Sequence, residues 1–182
     1  MVRFHKIAAA ALLAAGVAGA HAADFFAGAS FGGSKFHTED VPGVNIDSTD
    51  TGFKLYGGVS FTPNFSLEAG YVDLGKLKAS AGGVTGSQSA DGFYLDAVGE
   101  FPLNGGFSLL GKLGVFRAES KANIPGFLSD KDTGTDIKFG IGGSYAINKN
   151  LSVRAEVERY RLNVFDDKGD VDLYSIGLSY KF

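Results

Sequence analysis

From Gly52 onward the chain sorts its residues by parity. Phe53, Leu55, Gly57, Val59 and Phe61 fall on one, Lys54, Tyr56, Gly58 and Ser60 on the other. A period of two puts alternate side chains on opposite faces, and only an extended strand has that period. The pattern returns at Phe65/Leu67/Ala69/Tyr71 and Phe93/Leu95/Ala97/Gly99/Phe101. It comes back again at Phe107/Leu109/Gly111/Leu113/Val115, Ile137/Phe139/Ile141/Gly143/Tyr145 and Leu151/Val153/Ala155/Val157. Phe25/Ala27/Ala29/Phe31 open the series and Tyr174/Ile176/Leu178/Tyr180/Phe182 close it, which makes eight strands.

The connections alternate in length. Thr62–Asn64, Pro102–Gly106 and Ile147–Asn150 are short and carry turn residues. The polar stretches 33–51, 75–91, 118–135 and 163–170 read as long loops. Strict alternation puts every short turn at one end of the strands and every loop at the other. The openings Phe65-Ser66-Leu67, Phe107-Ser108-Leu109 and Leu151-Ser152-Val153 recur 42 and 44 residues apart, so the repeating unit is a hairpin plus a loop. An eight-stranded antiparallel up-and-down sheet is therefore expected, closed into a barrel.

Polarity decides which face is inside. Lys54, Glu68, Asp96, Lys112, Lys138, Arg154 and Glu156 share one face while the other is aliphatic or aromatic. A soluble barrel buries its apolar face; seven charges on the narrow inner face require the reverse, with lipid outside. The eight steps from Phe53 to Phe61, tilted by about 40°, project to roughly 20 Å, close to the apolar height of an outer membrane. Phe61, Phe65, Phe101, Phe107, Tyr145 and Phe182 gather beside the short turns, where an aromatic girdle belongs. No stretch of 18 apolar residues exists to make a spanning helix. With a formal charge of -3 the chain has no basic surplus for nucleic acid, and with 0 Cys it has neither disulfides nor thiolate metal sites. Arg3 and Lys6, the apolar run 7–20 and Ala20-His21-Ala22 form a secretory signal peptide over 1–22, leaving 23–182 as the barrel domain.

At this point the chain resembles the OmpA-type eight-stranded outer-membrane barrels, in their short form. The most specific segments are Pro63–Gly75 (PNFSLEAGYVDLG), Phe107–Gly114 (FSLLGKLG), Asn150–Glu156 (NLSVRAE) and Tyr174–Phe182 (YSIGLSYKF). The resemblance implies a monomer in the bacterial outer membrane, in contact with lipid and lipopolysaccharide. It also implies that Tyr174, Ile176, Leu178, Tyr180 and Phe182 form the signal read by the barrel-assembly machinery. A peptidoglycan-binding domain, present in longer members, is not expected here.

Glu68 and Arg154 stand equally far from their turns on strands that face each other across an eight-stranded ring, and Lys112 and Glu156 lie within reach of both. An unpaired charge in so narrow a lumen costs several kcal/mol, so the expectation is an ionic core that fills the barrel. The alternative is a small-conductance, porin-like ion path through the same residues. Enzymes on small outer-membrane barrels lean on a histidine beside Ser or an acid, and after cleavage only His37 remains, with Glu39, Asp40 and Ser48 nearby in sequence. Neither catalysis nor a cofactor is expected. Asp130–Asp136 starts like a calcium loop, but Gly134 comes one place early and Ile141 stands where the closing Glu belongs, so no metal site follows. Asp166, Asp167 and Asp170 read as a solvated tip. Function is expected to be envelope support, with loops presented for adhesion or for contact with host cells or phage. Phe36, His37 and Val41 in the first loop and Ile124, Phe127 and Leu128 in the third, mostly apolar, are its contact candidates.

Overall fold

The computed structural model describes residues 24–37, 45–47, 49–81, 84–124, 128–164 and 167–182; the candidate signal peptide lies outside them. Nine strands form one antiparallel sheet: β1 (Asp24–His37), β2 (Asn45–Asp47), β3 (Thr49–Thr62), β4 (Phe65–Ala81), β5 (Val84–Pro102), β6 (Phe107–Ile124), β7 (Leu128–Ala146), β8 (Leu151–Val164) and β9 (Asp167–Lys181). The order β4-β3-β1-β9-β8-β7-β6-β5, with β5 returning to β4, closes an eight-stranded barrel, and β2 is a short strip paired to the far end of β4. Closure leaves no wall strand with an unpaired edge, which is what allows a sheet to sit in lipid.

The short turns are held by their own side chains. Asn148 Oδ1 accepts the backbone N–H groups of Asn150 and Leu151 at 2.9 and 2.8 Å, and the Asn64 amide donates to the Glu100 carbonyl at 2.9 Å. At Asn104–Gly106 the chain reverses through φ of 73° and 83° at Gly105 and Gly106, a conformation L side chains rarely adopt. The barrel's closing seam is tied at this end by Lys181 Nζ and Asp24 Oδ2, 2.5 Å apart.

The exposed apolar residues form a continuous band on the outer wall, among them Phe31, Leu55, Leu113, Ile141 and Ile176. Ring pairs edge it at both heights. Phe61–Phe65 (6.2 Å) and Phe107–Tyr145 (4.7 Å) lie by the short turns, while Phe53–Tyr71 (6.2 Å) and Tyr71–Phe93 (5.4 Å) lie six to eight residues up the strands.

The long connections are corrected by the structure. Most of 75–91, 118–135 and 163–170 is strand: β6 and β7 stay paired from Arg117↔Thr135 to Ile124↔Leu128, and β4 and β5 resume after a bulge between Asp73 and Lys76 up to Ala81↔Val84. Above the lipid both faces of a hairpin meet water, so the ladder persists without apolar alternation and leaves no signal of period two. Phe36 is likewise no loop residue; it points into the barrel from β1 and is buried, whereas His37 points outward. Val41 and Phe127, and the side chains of Ile124 and Leu128, lie outside the described residues.

Candidate functional site

Depth in the lumen follows distance from the short turns. Three residues into β4 and β8, Glu68 and Arg154 meet, Arg154 Nη1 donating to Glu68 Oε2 at 2.9 Å. Lys112 on β6 and Glu156 on β8 come two residues higher, and Lys112 Nζ bridges Glu68 Oε1 (2.8 Å) and Glu156 Oε1 (2.7 Å). Higher again, Lys138 Nζ lies 2.6 Å from Asp96 Oδ2 and 2.8 Å from Glu158 Oε1, and Lys54 reaches Glu156 Oε2 at 2.5 Å and also contacts Glu158. The Tyr94 hydroxyl donates to Glu68 at 2.9 Å, Lys138 lies 4.0 Å from the Tyr94 ring centroid, and Arg154 lies over Phe26 and Tyr56 at 5.1 and 5.4 Å.

All seven charged residues singled out in the sequence are thus inside and joined in one network. Glu158, equally buried, completes it. Without Glu158 the cations Lys54, Lys112, Lys138 and Arg154 outnumber the anions; with it the core is neutral, and in a low-dielectric interior that balance makes the burial tolerable. Its parity with Arg154 and Glu156, together with the missing negative charge, was the sequence signal that identifies it. The aromatic members Tyr56, Tyr94 and Tyr160 had no such signal, because a tyrosine fits either face.

Above the ions the lumen becomes apolar. Leu74, Phe116 and Tyr160 each stand nine residues into their strands, and with Val72, Val171 and Leu173 they are sealed from solvent. Phe116 and Tyr160 pack edge to face at 5.0 Å. This tier caps the network on the side away from the short turns. Among the described residues no group of three or more His, Asp or Glu is placed to hold a metal ion. The terminal set Tyr174, Ile176, Leu178, Tyr180 and Phe182 lies on the outer, lipid-facing wall.

A closed antiparallel cylinder with an apolar outside and a bonded ionic inside is a membrane-spanning β-barrel. The family model for the outer membrane protein beta-barrel domain matches residues 7–182, and the chain belongs to that family. It is an outer-membrane protein. Outer membrane protein A of Shigella flexneri is 32% identical over 168 residues, covering 87% of this chain and 48% of that protein; the chain thus spans about half the length of the curated relatives it matches. Among solved structures, Neisserial surface protein A superposes with a TM-score of 0.67 at 14% identity, over 89% of this chain and 100% of the other. Ail, the attachment invasion locus protein of Yersinia pestis, gives 0.58 at 18% identity, over 88% and 97% of the two chains.

Proposed function

We propose that the protein is a non-enzymatic, non-conducting envelope barrel that anchors surface hairpins for adhesion to a cell-surface ligand. The apolar tier carries this reading. Ions entering from the hairpin side would have to cross Leu74, Phe116, Tyr160 and Leu173 before reaching the ionic network, and each of its eight charges already has an opposite partner. A small-conductance path is disfavoured by the same observation. Function then belongs outside, where the paired β6–β7 ladder rises at least seven steps beyond Arg117, about 20 Å at ordinary strand rise. A paired ladder holds contact residues with less ordering cost than a free loop. The likeness to Ail, named for attachment, is in keeping with a surface role.

Planar-bilayer recording of the refolded barrel and a cell-binding assay test the two halves. The expected results are no unitary conductance and loss of binding when 119–133 is replaced by a tight turn, with the heat-dependent gel shift of a folded barrel retained. Steady single-channel currents would overturn the closed-lumen half; unchanged binding by the shortened barrel would overturn the adhesion half. Barrel assembly guided by the lipid-facing set ending in Phe182 is proposed on the same footing as the signal peptide.

A further inference from the structure

The ring that is closed within the lipid is open above it. β7 and β8 pair only as far as Lys138↔Tyr160, whereas β6 and β7 stay paired to Ile124↔Leu128. β8 turns back into β9 at Val164↔Asp167. Continuing the Lys138↔Tyr160 register puts Val164 level with Gly134, so the end of β7 stands above the tip of the β8–β9 hairpin. The upper parts of β4, β5, β6 and β7 therefore form an open sheet with two edges. β2 covers one of them, pairing Asn45–Asp47 with Lys78–Ser80, and leaves an edge of only 3 residues. β7 is the other, and from Leu128 to Thr135 it has no strand on its second side among the described residues.

Hydrogen bonding at the short turns fixes which groups this edge offers. The Ile147 N–H donates to the Leu151 carbonyl at 2.9 Å, so the odd-numbered residues of β7 turn N–H and C=O toward β8. The Leu103 N–H donates to the Phe107 carbonyl at 2.7 Å, which commits the odd-numbered residues of β6 to β5. Even-numbered residues of β6 then bond to β7, and through Ser108↔Ser144 these meet even-numbered residues of β7. The two counts agree, and no bulge interrupts either ladder of β7. Ser129, Lys131, Thr133 and Thr135 thus present backbone donors and acceptors at the open edge, while Asp130, Asp132 and Gly134 are committed to β6. Natural sheets blunt such an edge with a bulge, a proline or brevity. This one runs about 26 Å with no proline and no break in register.

We propose that the β7 edge at Leu128–Thr135 takes up an extended segment of a partner protein as an added strand, one carrying a basic–acidic–basic run. Ser129, Lys131, Thr133 and Thr135 hold it through their backbones, and Asp130-Lys131-Asp132 selects its charge. A second copy in the same membrane does not fit. It is related by an axis along the strands, which sets Lys131 beside Lys131 and each Asp beside itself, and like charges directly opposite are unfavourable. Basic residues opposite Asp130 and Asp132, with an acid opposite Lys131, make all three pairs attractive. The inference rests on the adhesion reading above and assigns its contact to strand backbone.

The probe is the peptide Val-Thr-Lys-Glu-Lys-Thr-Val, blocked at both ends, whose palindrome meets the edge with the same charges in either direction. A charge-swapped peptide with Glu-Lys-Glu at its centre is the comparison. The full chain is refolded in a neutral detergent and amide exchange is followed residue by residue by NMR. In the free protein Asp130, Asp132 and Gly134 should be protected while Ser129, Lys131, Thr133 and Thr135 exchange freely; saturating peptide should protect these four as well. The swapped peptide should bind about tenfold more weakly or worse, since three attractive pairs become like pairs. Ser129→Pro/Thr133→Pro removes two edge donors without touching the β6 ladder and should weaken binding about tenfold or more. Ser129→Ala/Thr133→Ala keeps both donors and should bind as the parent does. The heat-dependent gel shift certifies folding, and exchange in the unaltered protein decides the matter if the proline pair does not fold. Four edge amides already protected without peptide, no protection gained with it, equal binding of the two peptides, or equal behaviour of the proline and alanine pairs would each overturn the proposal. Cell binding by a parent that ignores the peptide would strike out the edge and leave adhesion standing. Peptide binding by a parent whose cell binding survives replacement of 119–133 would uphold the edge and overturn adhesion.

Discussion

Replacing Glu68 by Gln keeps the side chain's volume and removes one negative charge from the centre of a neutral network. The structure says who is stranded. Lys112 keeps Glu156 at 2.7 Å, but Arg154 loses its carboxylate partner among the described residues and is left between the Phe26 and Tyr56 rings. Breaking a buried pair from one side typically costs about 3–5 kcal/mol. Lys112 is only half abandoned and the amide can still accept the Tyr94 hydroxyl, so about 3 kcal/mol is expected for Glu68→Gln. Arg154→Met should cost less, about 2 kcal/mol, because Glu68 retains Lys112 and Tyr94. The double variant has no orphan charge and should lose well under the sum, with a coupling of at least about 1.5 kcal/mol. Urea-driven unfolding from lipid vesicles, read by the gel shift and circular dichroism, closes the cycle. Additivity within about 0.5 kcal/mol would mean that the 2.9 Å contact contributes nothing, and the account of the lumen would fail.

Three further outcomes are expected. Gly114→Ala should impair refolding, since a Cβ there would come within 2.1 Å of the Leu95 carbonyl oxygen and 2.2 Å of Asp96 Oδ1, whereas Gly111→Ala, with nothing within 4 Å, should refold normally; equal behaviour in a gel-shift time course would refute the packing argument. Phe116→Ala empties a fully buried site in the apolar tier and should cost about 3–5 kcal/mol in the same urea assay, and a loss under about 1 kcal/mol would mean that the tier is not packed. Hydrogen bonding from Arg159 holds the Asp172 carboxyl below its ordinary value, so this rim pair contributes fully above the unfolded value near about 4 and fades only as pH falls through the lowered folded value. Amide exchange at the upper ends of β8 and β9 should therefore stay protected at about pH 5 and open in stronger acid; protection already lost at about pH 5 would contradict the assignment.

Parity alone determined that Phe53 and Leu55 face away from Lys54, that the strands number eight, and that the charged face is the inner one. These are local facts with a period of two, and a charge in a narrow ring has nowhere cheaper to go than against its opposite. Counting from the short turns placed Glu68 and Arg154 at equal depth. It did not reach beyond the lipid, where Ala118–Ile124 and Leu128–Thr135 pair as strands with no apolar rhythm, because water on both faces removes the pressure to alternate. Nor did it expose Phe36 as an inward residue, since one phenylalanine beyond the last clean repeat carries no period. The apolar cap of Leu74, Phe116 and Leu173, the dependence of Lys138 on Glu158, and the row Lys35–Asp172–Arg159 were decided only by tertiary structure. Each joins residues on strands whose relative height is set by register around the closed ring, and no stretch of sequence states that register until the last strand has paired with the first.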